Sequence, residues 1–440
     1  MRRSGHHMRG NRLLAAACGV ALATGAGPVL ADRAPTVEEL WAVIQAQQKE
    51  IQALKAKLAE TEQKVDATAE MVEAGVTAGH HDAGAAGDAP VRAAHEQVGA
   101  HQPFHHGRSG RTTVGGYGEM HYNNLNGEGG ASDKREIDFH RFILFLNHEF
   151  DERTRFASEL EVEHGFVEPD EGGEVALEYA YVERDLDEAL SMRAGMVLVP
   201  VGFINETHEP PVFYGVERPE VEKYILPTTW REGGVQLVWR PRPGWQADFL
   251  LHSGFQTDYT STDPAKRYAV RGGRKSVGEA PANDLAFTAR VRWTGMPGVE
   301  LAAAYQRQGD VTQGKDPTAG GANLWTAHAI LRKGPLGLRA LYARWDLDGS
   351  GPASVGADVQ RGWYVEPSWR VNGAFGLFAR YARWDNQAGV GSIASEKRQW
   401  NVGLSWWPHP DVVFKADWQV QDNADGKNRD GLNLGVGYMF

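Results

Sequence analysis

The sequence predicts an all-β transmembrane fold, a 16-stranded antiparallel β-barrel preceded by an N-terminal α-helical coiled coil. From Thr112 to Phe440, segments of about 10 to 14 residues alternate apolar and polar side chains and are separated by turn residues. The connections between these segments are alternately short and long. Beyond the N-terminus no stretch approaches ~18 consecutive apolar residues, so a membrane span has to be a closed barrel.

Residues 1–31 have the composition of a secretory signal peptide. Leu13–Leu22 is a short apolar run, and small or apolar residues precede a cleavage site that we place after Ala31. The alternative is a lipoprotein that begins at Cys18, but "LAAAC" lacks a large aliphatic residue three positions before the cysteine. We favour cleavage after Ala31, which leaves a mature chain with no disulfide and no thiolate chemistry. The basic residues of the segment are Arg2, Arg3, Arg9 and Arg12.

The mature chain is acidic. Without the first 31 residues, 42 basic residues stand against 57 acidic ones, a net charge of −15. This excess of negative charge argues against nucleic acid as a partner, because the phosphate backbone is bound by basic surfaces.

Residues 32–72 are predicted to form a periplasmic coiled coil. Apolar residues alternate at spacings of three and four, which is the heptad pattern of a left-handed supercoil. Such a seam requires a partner helix and therefore indicates an oligomer, although a single helix packed on its own barrel is the alternative. One register holds Val37, Ile44, Ile51, Leu58, Val65 and Val72, and the other holds Leu40, Gln47, Leu54, Thr61 and Thr68.

Residues 73–111 are rich in Gly, Ala and His and are predicted to be a linker. A metal-binding role is the alternative, because imidazole is a common ligand. Histidines scattered over a flexible segment make a poor preformed site, so we favour a solvated linker and expect no cofactor and no metal. These histidines are His80, His81, His95, His101, His105 and His106.

The barrel is predicted over residues 112–440. We place strands at 112–124, 137–150, 154–167, 173–186, 190–202, 233–241, 244–255, 284–297, 299–311, 323–333, 336–347, 360–372, 375–387, 396–408, 411–423 and 430–440. Short connections such as "PRPG", "MPG" and "PHPD" all follow even-numbered strands. Short turns on one rim and long loops on the other are typical of outer-membrane barrels, so both barrel ends are expected to face the periplasm.

The last strand shows which face meets lipid. Leu432, Leu434, Val436, Tyr438 and Phe440 share one face, and polar or small residues share the other. In a wide barrel the apolar face contacts lipid and the polar face lines the lumen. Aromatic residues near strand ends suit the interfacial girdles, namely Trp293, Trp345, Trp363, Trp369, Trp384, Trp400 and Trp406.

The polar faces predict a lumen with one acidic and one basic wall. On the third and fourth strands, Glu residues alternate with apolar residues that include Leu160, Val175, Leu177 and Tyr179. Opposed charges across a narrowing set up a transverse field that filters polar solutes; the alternative is that they only solvate the lumen. The acidic residues are Glu159, Glu161, Glu163 and Glu178, and the basic residues are Arg290, Arg292, Arg370, Arg380 and Lys415.

Several motifs together resemble one protein family. They are "VGGYGEMHYNN", "DFHRFILFLNHEF", "FASELEVEHG" and "LVPVGFINETHEPPVFYGVERPEVE", all within residues 114–234. The sequence thereby resembles proteobacterial outer-membrane porins of the phosphate-selective porin O and P family. The resemblance implies a passive, often trimeric pore in the outer membrane of a Gram-negative bacterium, in contact with lipid and lipopolysaccharide. The terminal Phe440 resembles the signal by which the barrel assembly machinery recognises such proteins.

The connection between the fifth and sixth strands is expected to fold inward and narrow the pore, as the resemblance implies. Residues 204–234 carry a net charge of −3, which argues against phosphate selectivity. The next long loop, 256–283, carries +2 and is either an anion funnel or simply solvated, and we favour the second. The candidate constriction residues are Glu206, His208, Glu209, Glu217, Arg218, Glu220, Glu222, Lys223 and Arg231.

Two other classes of function are alternatives to a pore. A hydrolase needs a nucleophile, a base and an oxyanion site, and the sequence has no G-x-S-x-G motif. Glu119 and His121 share a strand face and are a weak catalytic candidate. A structural barrel that tethers envelope layers through the coiled coil is the other alternative. The sequence favours a porin for small hydrophilic solutes or ions, with a substrate-selective phosphate or anion channel as a further alternative.

Overall fold

A computed structural model of the protein describes residues 112–165 and 173–440. The predicted signal peptide, coiled coil and linker lie outside the described residues. Within them, sixteen strands form one closed barrel. The strands are β1 Thr112–Gly127, β2 Lys134–Glu149, β3 Thr154–Glu163, β4 Val175–Asp185, β5 Leu190–Leu198, β6 Arg231–Arg242, β7 Trp245–His252, β8 Ala286–Met296, β9 Val299–Gln308, β10 Ala322–Lys333, β11 Leu336–Leu347, β12 Val359–Arg370, β13 Phe375–Asp385, β14 Lys397–His409, β15 Val412–Gln421 and β16 Arg429–Met439.

Each strand pairs antiparallel with its neighbours in the sequence, and β1 pairs with β16 to close the barrel. Gly116 and Phe440 complete this seam, since each backbone N–H donates to the other's carbonyl at 3.0 and 2.9 Å. The predicted strand number and closure are therefore confirmed. Every predicted strand end lies within about four residues of the observed one, the error expected for boundaries.

The connections alternate in length as predicted. Those after even-numbered strands have two to four residues, whereas those after odd-numbered strands have six or more. Between β6 and β7 the turn is only Pro243–Gly244, and Gly244 has a φ of +78°, which favours glycine. The longest connections are residues 199–230, after β5, and 253–285, after β7.

Short helical pieces lie within the long connections. They are α1 (Val221–Tyr224), α2 (Ser350–Ser354) and two 3₁₀ turns at Pro210–Val212 and Val270–Gly273. In the part of the chain that the structure describes, no helix is long and apolar enough to cross a membrane.

The barrel exposes its apolar residues and buries its polar ones. On β14, Trp400, Val402 and Leu404 are exposed, whereas Asn401 and Ser405 are buried. Large apolar residues are exposed in this way on strands around the barrel. Such a band is stable only against lipid, and the buried polar face is the lumen.

The predicted position at the membrane interface is wrong for two of the tryptophans. Trp345 and Trp384 are buried in the lumen instead of facing lipid. The indole N–H of Trp345 donates to the Ile225 carbonyl at 3.0 Å, and Trp384 stacks on Tyr224. Both occupy lumen-facing positions, where they pack against the connection between β5 and β6.

The predicted lipid-facing position of Tyr179 is also wrong. The pairing of β3 with β4 shifts register between Glu159 and Leu160, so that Glu178 is an extra residue on β4. Glu178 and Tyr179 are consecutive and both are buried. A β-bulge of this kind interrupts the strict alternation of faces.

The assignment of faces predicts the effect of a lipid-facing charge. Val402 is 57% exposed near the middle of β14, between two aromatic residues of the outer surface. Val402→Arg is expected to destabilise the folded barrel by about 2–4 kcal/mol. Val412→Arg, at the start of β15 near the turn, is the matched control and should cost about 0–1 kcal/mol. Denaturant unfolding in lipid vesicles measures both, and equal effects would contradict the assignment.

Candidate functional site

The connection between β5 and β6, residues 199–230, folds into the barrel. Val199, Ile204 and Trp230 are fully buried. The two ends of the loop meet: the Val199 N–H donates to the Trp230 carbonyl at 3.0 Å. The Asn205 side-chain amide donates to the Val199 carbonyl at 2.8 Å and to the Trp230 carbonyl at 2.9 Å, and its oxygen accepts from the Trp230 N–H. One asparagine thus closes the base of the loop.

The tip of the loop is held by the opposite wall. Its backbone has little regular structure, so its buried polar groups need partners from side chains. The wall supplies them on β11, β13, β14 and β15. Arg339 donates to the Val212 carbonyl at 2.6 Å, Arg380 to the Tyr214 carbonyl at 2.7 Å, Trp407 to the Pro211 carbonyl at 3.3 Å, and the Val216 N–H donates to Asp417 at 2.8 Å.

The loop tip also rests on the closing strand. A side chain at Gly437 of β16 would place its Cβ 2.2 Å from the Cβ of Pro210. Only glycine allows this close approach between the loop and the strand. The inward loop and the β1–β16 seam are therefore in direct contact.

Buried carboxylates hold the loop from within. Glu222 of α1 accepts the N–H groups of Phe203 and Ile204 at 3.0 and 2.8 Å and the Tyr364 hydroxyl at 2.6 Å. Burial raises the pKa of Glu222, although these donors oppose that effect. Glu222 therefore joins two parts of the loop to β12.

Glu206 is bound by an ion pair to β8, which lies two strands from the end of the loop on β6. It pairs with Arg290 of β8, which is also held by Asp248 at 2.8 Å. All three side chains are largely buried. The charge of Glu206 is therefore compensated inside the wall.

His208 lies between two strand carboxylates. Its Nε2 is 2.8 Å from Glu178 and 3.5 Å from Glu159. Burial alone lowers the pKa of His208, but the two glutamates outweigh burial and raise the pKa well above its ordinary value. These three residues offer ligand atoms within 4.8 Å of one another, close enough to surround a metal ion. A protonated His208 pairs with both carboxylates and contributes one positive charge to the group.

The connection between β7 and β8, residues 253–285, packs on the inward loop. Arg274 donates to the Pro227 and Thr229 carbonyls, both at 3.0 Å, and Arg271 donates to the Lys223 carbonyl. Apolar residues of this connection are buried too, including Phe255, Tyr268 and Val270. The favoured expectation of a merely solvated loop is thus wrong for Arg271 and Arg274.

A cavity of about 310 Å³ lies beside the inward loop. Six carboxylates and six cationic side chains line it, together with three histidines. The acidic residues are Glu119, Glu161, Glu163, Glu174, Glu178 and Glu217; the basic ones are Arg141, Arg218, Lys223, Arg231, Arg271 and Arg274; and the histidines are His121, His140 and His164.

The structure brings some of the sequence-predicted residues to this cavity and places others elsewhere. The predicted residues that line it are Glu161, Glu163, Glu178, Glu217, Arg218, Lys223 and Arg231. The predicted loop residues that do not line it are Glu206, His208, Glu209, Glu220 and Glu222. The predicted wall residues that do not line it are Glu159, Arg290, Arg292, Arg370, Arg380 and Lys415.

The basic residues of the later wall have specific partners. Arg380 pairs with Glu366 at 2.7 Å as well as holding the loop. The Lys415 ammonium lies 3.6 Å from the ring centroid of Phe213, a loop residue. Arg292 donates to the Gln246 side chain at 3.0 Å, and Arg370 lies 3.8 Å above the Trp407 ring. Arg380 and Lys415 thus contact the loop directly.

Sequence reasoning missed several lining residues. Arg141 of β2 forms a buried ion pair with Glu119 of β1, which was predicted only as a weak catalytic candidate with His121. Strand parity was a signal that could have placed both side chains in the lumen. His164, Arg271 and Arg274 lie outside regular strands, where no period indicates direction. They reach the cavity because the connections that carry them fold inward.

A closed barrel with an apolar exterior and a charged interior, narrowed by an inward loop, defines an outer-membrane porin. The chain belongs to the phosphate-selective porin O and P family, whose model matches residues 113–439. It is accordingly a channel for passive diffusion in the outer membrane and not an enzyme.

The chain is also similar to proteins from other bacteria. An uncharacterized protein of Aquifex aeolicus (strain VF5) is 29% identical over 371 residues, covering 74% of this chain and 80% of that protein. The anion-selective porin from Comamonas acidovorans has a TM-score of 0.53 at 14% identity, covering 76% of this chain and 100% of that one. In-vitro folded OmpT of Vibrio cholerae, in trimer form, has a TM-score of 0.50 at 10% identity with the same coverages. These two likenesses show the fold.

The raised pKa of His208 predicts how the loop responds to pH. Because the folded pKa lies above the unfolded value of about 6.5, the stabilisation is complete below that pH and is lost as pH rises through the raised pKa. Single-channel current noise should be lowest below about pH 6.5 and should increase as pH rises above that value, because the stabilisation of the loop is progressively lost up to the raised pKa. His208→Gln should be noisy throughout. Noise in the unaltered protein that does not change from pH 6 into alkaline solution would contradict the stabilisation of the loop by His208.

Proposed function

We propose that this porin passes small hydrophilic solutes and ions through the charged cavity, with residues 199–230 as the constriction. The observation that carries the proposal is the cavity of about 310 Å³, in which six carboxylates face the same space as six cations. Charged groups of both signs in a confined space replace part of the hydration of a passing solute. A balanced lining of this kind suits polar solutes of either sign.

Most of the acidic residues and most of the basic residues come from different parts of the chain, with Arg141 of β2 and Glu217 of the inward loop as the exceptions. Glu161, Glu163 and Glu178 belong to β3 and β4, whereas Arg271 and Arg274 belong to the β7–β8 connection. Charges on opposite sides of a narrow space produce a transverse field, which orients dipolar solutes and filters apolar ones. The proposed field differs from the sequence expectation, because its basic side is built by loops and not by the later barrel wall.

Anion selectivity is the second candidate. Among the described residues, no hydrogen-bond acceptor lies against the buried Nε atoms of Arg218, Arg231 and Arg274 or against Nη2 of Arg218. Guanidinium groups that line the cavity and keep donors without an acceptor favour a negatively charged solute beside them. The family description and the anion-selective porin of Comamonas acidovorans also support this candidate.

The proposal includes the oligomeric state and the surroundings of the barrel. We propose a homotrimer, supported by the trimer form of OmpT, with the coiled coil of residues 32–72 in the periplasm after removal of the signal peptide 1–31. The linker 73–111 would connect coiled coil and barrel. The exposed apolar band and Phe440, 62% exposed at the seam, suit contact with lipid, lipopolysaccharide and the barrel assembly machinery.

Planar-bilayer conductance tests the channel. The purified, folded protein is expected to give stable currents that are linear in voltage. A barrel plugged by its loop, as in a purely structural anchor, would give no conductance from well-folded protein. That result would overturn the proposed function.

Reversal potentials in a salt gradient test the selectivity. Arg218→Gln combined with Arg231→Gln should shift the permeability ratio several-fold toward cations, because two cavity cations are lost. Glu217→Gln should shift it toward anions. Arg398→Gln is the matched control, since Arg398 pairs with Glu396 and Asp422 away from the cavity and should leave the ratio unchanged. Equal ratios in all variants would place the selectivity outside this cavity.

A further inference from the structure

Three side chains from three parts of the chain meet where the inward loop contacts the barrel wall. Glu159 belongs to β3, Glu178 to β4 and His208 to the loop, and all three are buried. The Nε2 atom of His208 lies 2.8 Å from an oxygen of Glu178 and 3.5 Å from an oxygen of Glu159. A single imidazole nitrogen therefore faces two carboxylates at once.

The β-bulge on β4 brings the second carboxylate to this point. Glu159 pairs with Tyr179 and Leu160 pairs with Leu177, so Glu178 is the extra residue. It points inward beside Glu159, although like charges on neighbouring strands repel each other. Bulges often redirect one side chain next to a functional site. The irregularity of β4 thus creates the cluster at an electrostatic cost that a cation offsets.

The separations in the cluster are close to those around a bound ion. Neighbouring ligands on a tetrahedral ion, each about 2.1 Å from it, are about 3.4 Å apart. The nitrogen-to-oxygen separations here are 3.5 and 2.8 Å, so the Glu178 oxygen has to move by about 0.6 Å. Among the residues that the structure describes, no other three His, Cys, Asp or Glu side chains bring ligand atoms this close together.

The charge of the cluster favours a divalent cation over a proton. Two carboxylates and one imidazolium, taken by themselves, carry a net charge of −1, and buried charge is costly unless it is compensated. A divalent ion bound by a neutral imidazole and the same two carboxylates gives a net charge of zero. The ion takes the place of the proton on Nε2, and that proton leaves to solvent.

Hydrogen bonds around the cluster orient one of the carboxylates. The Thr229 hydroxyl donates to the other oxygen of Glu178 at 2.8 Å, and Arg218 donates to the Thr229 hydroxyl oxygen at 3.1 Å. Carboxylates that bind metals are held by outer partners of this kind. Glu178, Thr229 and Arg218 all line the cavity beside the loop, which gives an ion a path to the cluster.

We propose that Glu159, Glu178 and His208 bind a divalent transition-metal ion of the zinc class. One imidazole and two carboxylates suit such an ion, whereas calcium takes oxygen ligands only. Because His208 is on the inward loop and the two glutamates are on β3 and β4, the bound ion cross-links the loop to the wall. This role does not depend on which solutes pass through the barrel.

Zinc titration by calorimetry tests the site directly. The protein is the full chain with the six linker histidines replaced by serine, so that they do not compete for the ion. We expect saturable Zn²⁺ binding that is lost in His208→Gln and in Glu159→Gln. Thr229→Val keeps all three ligands and should weaken binding about 10–100-fold. His328→Gln is the matched control: within the described chain the Nε2 of this buried histidine contacts one carboxylate, Glu300, at 3.0 Å, so its loss should leave the affinity unchanged.

Heat-dependent gel mobility shows that each variant forms the barrel and also measures the cross-link. In the unaltered protein, Zn²⁺ should raise the temperature at which the folded band is lost, compared with a chelator, because the ion binds the folded state. His208→Gln should show no such difference. Two results would overturn the proposal: equal zinc affinity in His208→Gln and in the unaltered protein, which would mean an adventitious ion only, or no saturable binding by a folded barrel.

Discussion

The inward loop depends on one constraint: its polar backbone lies inside the barrel, where each N–H and carbonyl needs a partner. Residues 199–230 have only one turn of α-helix and one 3₁₀ turn, so the loop cannot satisfy itself. Arginine, tryptophan and aspartate side chains of the surrounding wall supply donors and acceptors instead. The position of the loop, and the shape of the cavity beside it, follow from these hydrogen bonds.

This constraint divides the lumen charges into two groups. Arg290 and Arg380 are committed to carboxylates and to the loop, so their charges are largely compensated where they lie. Arg218 and Arg231 keep buried nitrogens that no described acceptor contacts, and both line the cavity. Charge sign alone does not separate these groups. The separation depends on which residues the two long connections reach once they have folded inward.

The fold was predictable because the physics of a barrel strand is local. Alternation of faces and the parity of short turns depend only on neighbouring residues, and both predicted the closed barrel of sixteen strands that the structure has. The predictions that were wrong concern residues whose positions depend on contacts between distant parts of the chain. The bulge that buries both Glu178 and Tyr179 depends on pairing with β3. Trp345 and Trp384 face inward by parity, although their nearness to strand ends suggested the membrane interface. Arg271 and Arg274 reach the cavity from a connection with no period to read.

The contact between Pro210 and Gly437 links the narrowing of the pore to the last step of building it. The seam joins residues such as Asn123 and Asn433, which are 310 positions apart, so its closure is the most non-local event in the fold. Because the loop tip contacts the closing strand, the loop has to be in its native position when β1 pairs with β16. A misplaced loop would clash with β16 and hinder this pairing. Closure of the barrel therefore favours chains whose constriction loop is correctly folded.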